Sequence, residues 1–269
     1  MRIAPFFLIA AFAFEALAEP SPSFDHSLWD RWLKRHVRDG LIEAEALPTD
    51  ARSLDAYLTQ ASRFPKESFS GMDREDRIAF LINVHNAAMV RSMIHSRLSQ
   101  TDRAAKEAWK PLPPDKTAVD LFGREIAAGA MADEMLLRTF RDERIHAALF
   151  RGWPSGPALR GEAYRGAEID RMLDEDARRF VNDPERNRIE VGARKIYLSP
   201  VFQEHARDFI MNYGTLETFR KFSVAEMALL SFLAHYADPA KRAYLEEGRY
   251  RIQYLRREGG RKEALHRVS

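Results

Sequence analysis

The sequence predicts an α+β fold: a predominantly helical single domain with a small antiparallel sheet. Three observations carry this reading. Apolar residues recur at three- and four-residue spacing through most of the chain. Two short alternating runs, Arg188-Ile189-Glu190-Val191 and Lys195-Ile196-Tyr197-Leu198, flank Gly192 in the manner of a hairpin. No internal repeat and no long linker divides the chain.

Taken in order, Phe24, Leu28, Trp32 and Leu33 predict an amphipathic helix reaching Val37 and stopped by Asp39-Gly40. Ser53, Leu54, Tyr57 and Leu58 predict a second, short helix, with Pro65 as a boundary. The clearest long helix runs from Met72 to Ile94, with Asp73 and Asp76 at its positive end and Ile78, Leu81, Ile82, Ala88, Met89 and Met93 at apolar positions. A polar linker from Ser99 to Asp115 carries Pro111, Pro113 and Pro114. Ala118 to Phe122, followed by Gly123-Arg124-Glu125-Ile126, reads as a strand and turn. A helix from Ala130 to Phe140 then continues or restarts over Asp142 to Phe150.

Gly152, Pro154, Gly156 and Pro157 force a loop over Arg151 to Gly161. Glu168 to Val181 predicts a helix that Asn182-Asp183-Pro184 stops. After the hairpin, Ser199-Pro200 suits a helix start, with Phe202, Ala206, Phe209 and Ile210 facing inward. Val224 to Tyr236 is a strongly apolar helix ending near Asp238-Pro239, and Arg249 to Leu255 reads as a last strand. The domain is expected over residues 24–255, and a basic tail over 256–269.

The first eighteen residues read as a secretory leader. Arg2 precedes the apolar run Ile3 to Phe14, and Ala16-Leu17-Ala18 supplies the small-x-small site before Glu19-Pro20. Glu15 interrupts the run, which falls short of a membrane span. Cleavage and a periplasmic or secreted location are therefore expected, with no stable membrane insertion afterwards.

Of 269 residues, 42 are Lys or Arg and 40 are Asp or Glu, so a formal charge of +2 gives no support for a nucleic-acid partner. Cysteine is absent, which excludes disulfides, thiol nucleophiles and thiolate metal sites.

Asn83, His85 and Asn86 interrupt the apolar middle of the long helix. Burying such groups requires partners, since an unpaired amide costs on the order of 1–3 kcal/mol. They serve either as braces for neighbouring loops or as groups that orient a substrate or a histidine. His146, just before the Gly/Pro loop, is the candidate acid or base, or else a tie that donates to a loop carbonyl. Arg151, Trp153 and Arg160 put two cations and an aromatic among rigid turns, an arrangement able to clamp an anion or a sugar. The alternative for that loop is a surface turn in which Trp153 plugs the edge of the core. No His-Glu-x-x-His or other metal spacing is present, no Gly-rich phosphate loop occurs, and neither a metal nor a cofactor is expected. Carboxylate ligands from distant elements are beyond what spacing reveals. Neither Ser155 nor Ser199 lies in a Gly-x-Ser-x-Gly elbow.

Ala79-Phe80-Leu81-Ile82-Asn83-Val84-His85-Asn86-Ala87 resembles the Phe-Trp-Ile-Asn-Leu-Tyr-Asn-Ala segment of the DUF547 family, whose function is unknown. Asp142-Glu143-Arg144-Ile145-His146-Ala147-Ala148-Leu149 is similar to that family's Asp-Pro-Arg-Ile-His-Phe-Ala-Leu core. Gly123-Arg124-Glu125-Ile126, Ala163-Tyr164, Leu173-Asp174, Ala177-Arg178-Arg179-Phe180, Leu198-Ser199-Pro200-Val201-Phe202 and Asp208-Phe209 follow in the expected order, so the resemblance spans roughly residues 72–236. The departures are specific. Phe150-Arg151-Gly152 stands where the family commonly has a Cys, and Gly156-Pro157-Ala158-Leu159 replaces its Cys-Pro-Pro-Leu. His85 takes the place of the usual Tyr, and the family's closing Asp-Trp-Ser-Leu-Asn is not recognisable after Tyr250. A Cys-based mechanism is excluded for this chain.

Two functional readings follow. The first is a noncatalytic exported domain that binds a small molecule, a glycan or an envelope protein in a cleft between the Asn83 helix and the Arg151 to Gly161 loop. The second is a hydrolase or transferase with His146 as acid or base and Asn83 or Asn86 positioning the substrate. A structural or assembly role is the third possibility, and oligomeric state has no signal in the sequence.

Overall fold

A computed structural model describes residues 21–43, 51–99, 113–213, 219 and 221–257. The expected leader, most of the Ser99 to Asp115 linker, and residues 258–269 of the tail lie outside that set. The fold is α+β, predominantly helical with small sheets.

Helix α1 (Ser27–His36) buries Trp29, Trp32 and Leu33 and passes into a two-stranded hairpin, β1 (Val37–Arg38) and β2 (Leu41–Ile42). Asp39-Gly40, expected as a helix stop, is the hairpin turn: both residues have positive φ, 51° and 78°. Gly40 is needed for a second reason, because a Cβ there would lie 2.6 Å from the Ala158 Cβ across the turn.

Helix α2 (Ala51–Ser62) is longer than its sequence signal. Pro65, expected as a boundary, sits in extended backbone as the residue that starts α3 (Lys66–Gly71). Helix α4 (Arg74–Ser99) is the axis of the domain. Ile78, Phe80, Leu81, Ile82, Val84, Ala87, Met89 and Val90 are all fully buried, so the helix is packed on every side rather than along one stripe. The hairpin of β3 (Ala118–Leu121) and β4 (Arg124–Ala127) turns through Phe122 and Gly123, both at positive φ. A continuous helix over residues 128–140, α5, is π-wound across Met131–Leu137 and ends at Arg141 in the left-handed region.

Short α6 (Ile145–Ala148) precedes an irregular segment, residues 151–165, and α7 (Ile169–Asn182) follows. Strands β5 (Arg188–Glu190) and β6 (Lys195–Leu198) pair antiparallel as expected. Strand β7 (Arg251–Tyr254) joins β6 in parallel, with Ile196 opposite Ile252, a pairing that hairpin signals do not encode. Ser199 caps α8 (Pro200–Glu204) by accepting from the Val201 N–H, and a tight turn at Ala206–Phe209 leads to α9 (Ile210–Tyr213). Ser223 and Glu226 form a capping box on α10 (Val224–Tyr236). Asp238-Pro239 ends that helix and also begins another, α11 (Pro239–Glu247), because proline suits a first helical turn.

The buried apolar residues form two clusters. One gathers α1, α2, α4, β3 and α5; the other gathers β6, α8 and α10. Helices α6 and α7 belong to both: Ile145, Ala148, Ile169 and Leu173 face the first, and Ala147, Ala177 and Phe180 the second. His146 therefore sits at the seam between the two halves of the core. Among the described residues, no helix is long and apolar enough to cross a membrane.

Candidate functional site

The polar residues of α4 each reach a backbone segment. Asn83 is fully buried; its Nδ2 donates to the Tyr164 carbonyl and its Oδ1 accepts the Tyr164 N–H, both at 2.9 Å. Asn86 does the same one turn along, donating to the Ala148 carbonyl at 2.9 Å and accepting the Phe150 N–H at 2.8 Å. Its Oδ1 also accepts from His85 Nδ1 at 3.2 Å, which fixes the His85 tautomer. Burial pulls the His85 pKa down to about 4, leaving a neutral ring. The two amides thus fasten the segment after His146 at both ends, and the expected cleft between α4 and the loop is bridged by these bonds.

Helix α6 is held from its other side. Arg144 pairs with Asp142 at 2.6 Å, Asp170 at 2.8 Å and Asp174 at 2.9 Å, which ties α6 to α7. Between these anchors His146 is 1% exposed and donates from Nε2 to Asp208 Oδ2 at 2.9 Å. His205 packs against it, ring centroids 4.3 Å apart, with Nδ1 facing the same Asp208 oxygen at 3.6 Å. On the far side of both rings lies one Arg151 terminal nitrogen, 3.5 Å from His146 Nδ1 and 3.4 Å from His205 Nε2.

A guanidinium only donates and a carboxylate only accepts, so one arrangement sets donors against acceptors at all of these contacts. In it each ring turns an N–H towards Asp208 and a lone pair towards Arg151. Burial supports this state by pulling the His146 pKa down to about 4. The hydrogen bond from His146 holds Asp208 below the usual carboxylate range.

Arg151 is itself unusual. It is 9% exposed, its Nε has no partner, and among the described residues no carboxylate lies within ion-pair distance of it. Burial lowers its pKa to about 10, partly offset by the field of Glu204. Two residues on, past Gly152 at φ +73°, the half-buried Trp153 also has an unpartnered indole N–H. Arg257 lies over the Trp153 ring at 4.3 Å and pairs with Glu204 at 2.7 Å, so the start of the basic tail is strapped to the same corner.

Arg160 belongs elsewhere. It pairs with Glu162 at 2.9 Å, Glu175 at 2.6 Å and the buried Asp176 at 3.1 Å, which leaves its charge fully countered. The Tyr164 hydroxyl also donates to Asp176. An open hollow of about 500 Å³ beside Arg160 is lined by these already paired groups. The hollow under the Gly/Pro loop, between Phe150, Trp153, Pro157 and the β1–β2 turn, measures only about 30 Å³.

Residues 69–181 match the family model DUF547, described as a protein of unknown function. Over that stretch the chain is similar to DUF547. No curated protein and no solved structure matches it. Asn83, His85, Asn86, His146, Arg151, Trp153 and Arg160 all fall inside the DUF547 match, whereas His205 and Asp208 lie C-terminal to it. Sequence reasoning passed over His205 and met Asp208 only within the Asp208-Phe209 resemblance, with no role attached. Their signal was the His205-x-x-Asp208 spacing next to the inward Phe202 and Phe209, but its meaning depends on His146, which is 59 or more residues away in the chain.

Proposed function

We propose that this is an exported, noncatalytic binding domain that holds an anionic group of a small molecule, glycan or envelope protein on Arg151, beside Trp153. The observation that carries this reading is the Arg151 guanidinium, nine-tenths buried and without a carboxylate partner among the described residues. Burying a charge is costly unless it is paired, and guanidinium is suited to phosphate and carboxylate. The two ring nitrogens it meets act as acceptors, which engage one guanidinium nitrogen without supplying a countercharge. Trp153 lies two residues on in the same loop, its ring covered by Arg257. Export is supported by the charged start, apolar run and small-residue site of residues 1–18.

Calorimetric titration with inorganic phosphate and with glucuronate tests the binding claim. The wild type gives saturable binding, Arg151→Gln weakens it at least tenfold, and Arg160→Gln leaves it unchanged; equal affinities in wild type and Arg151→Gln contradict the proposal. For export, the mass of material recovered outside the cytoplasm starts near Glu19, and an intact Met1 contradicts cleavage.

One observation favours the second reading, a hydrolase or transferase. Asp208 orients His146 as a carboxylate orients a catalytic base, leaving Nδ1 unprotonated. Against it stand the near-complete burial of His146 and its weak basicity. Equal turnover of cell-envelope substrates by wild type and His146→Ala ends that reading.

A further inference from the structure

The corner that holds Arg151 has a second face. His146 Nε2 and His205 Nδ1 both point at the Asp208 carboxylate, and the three potential ligand atoms lie within 4.8 Å of one another. We propose that His146, His205 and Asp208 form a three-donor site for a divalent first-row transition ion, and that Arg151 opposes its filling. This inference stands apart from the anion reading, since it uses different atoms and survives if Arg151 binds no anion.

The donor set suits the chemistry. Two imidazole nitrogens and one carboxylate oxygen match Zn²⁺ and its neighbours, which take such ligands at about 2.0–2.2 Å and leave positions open for water. Donor atoms around such an ion are about 3–3.5 Å apart, and the structure gives 2.9 Å from His146 and 3.6 Å from His205 to the Asp208 oxygen. The two imidazole nitrogens lie within 4.8 Å of each other, so a movement of the partly exposed His205 completes the donor set around an ion. Entry is open from the Asp208 side, where that side chain is 45% exposed and His205 19%. The buried His146 supplies a rigid third ligand on α6, held by the Arg144 ion pairs.

The opposition by Arg151 follows from proton positions. To bind through Nε2, His146 must give up the proton it donates to Asp208 and carry one on Nδ1; His205 must move its proton from Nδ1 to Nε2. Both rings stay neutral and no proton is released overall. Each new N–H then faces the Arg151 nitrogen, 3.5 Å and 3.4 Å away, so donors confront donors. Metal-bound histidines ordinarily direct that second N–H at an acceptor. The guanidinium must therefore turn away as the ion enters.

The test is competition for Zn²⁺ against a chromophoric chelator, joined to the visible spectrum of the Co²⁺-loaded full chain. His205→Gln and Asp208→Asn alter partly exposed groups and leave the buried His146 in place. One ion is expected per chain, with affinity falling at least fiftyfold in each of those two variants and rising about tenfold in Arg151→Met. The Co²⁺ bands should be those of a nitrogen and oxygen ligand set. Absence of one-to-one binding in both wild type and Arg151→Met, or binding that survives His205→Gln and Asp208→Asn, overturns the site. Arg151→Met binding no tighter than wild type overturns the opposing role of the arginine.

Discussion

Asn86 accepts the Phe150 peptide N–H at 2.8 Å, from a helix 64 residues earlier in the chain. With its donation to the Ala148 carbonyl, one amide closes the two ends of the turn that follows His146. Asn86→Ala leaves a buried N–H and a buried carbonyl unpaired, which predicts a loss of about 2–4 kcal/mol in urea unfolding. Asn86→Asp keeps the acceptor and loses the donor, so it falls between the two. A wild-type unfolding curve for Asn86→Ala contradicts the bracing role.

Arg160 and Arg151 are both buried cations of one loop, yet their surroundings differ. Removing Arg160 leaves Asp176 buried with Arg179 and the Tyr164 hydroxyl as its remaining partners. Arg160→Met is expected to cost about 3–5 kcal/mol of stability, the range for breaking a buried pair. Arg151→Met removes a charge without stranding a carboxylate, and its unfolding midpoint is expected to match or exceed that of wild type. Equal losses for both contradict this distinction.

Acid should weaken the fold through His85. Its folded pKa is about 4, against about 6.5 for an exposed imidazole, so between those values the unfolded chain binds the extra proton. Stability therefore rises with pH through this window and is lost as pH falls from about 6.5 towards 4, by up to about 1.4 kcal/mol per unit for this ring. His85→Gln is expected to flatten the dependence of unfolding free energy on pH; an unchanged slope contradicts it.

Trp153 packs directly on Gly156, where an added methyl would overlap the indole nitrogen. Gly156→Ala should displace the ring from under Arg257, shift its fluorescence to longer wavelength, and cost about 1–3 kcal/mol as overpacking does. Wild-type emission in this variant contradicts the close approach.

Helical periodicity carried most of the fold. The α4 and α10 signals were strong because long apolar runs have few alternatives, and the 188–198 hairpin followed from alternation around a glycine, whereas at 118–127 the sequence shows a strand and a turn but not the return strand Arg124–Ala127. Proline at 65 and 239 read as a boundary, since the same residue that ends one element starts the next. The parallel docking of β7 on β6 depends on contacts more than 50 residues apart and left no local trace. At the site, the asparagines stood out because mid-helix amides must find partners, but not which partners. The roles of His205 and Asp208 were unreadable for the same reason: a histidine and an aspartate three apart acquire meaning only when α6 delivers His146 to them.

The most direct test of the central claim is the Arg151 Nε–H resonance, followed by NMR in the full chain during titration with inorganic phosphate. An anion seated on the guanidinium predicts a saturable shift and slowed exchange of that proton with solvent, in wild type and in Arg160→Gln alike. A resonance unmoved by phosphate, while the fold persists, would contradict it.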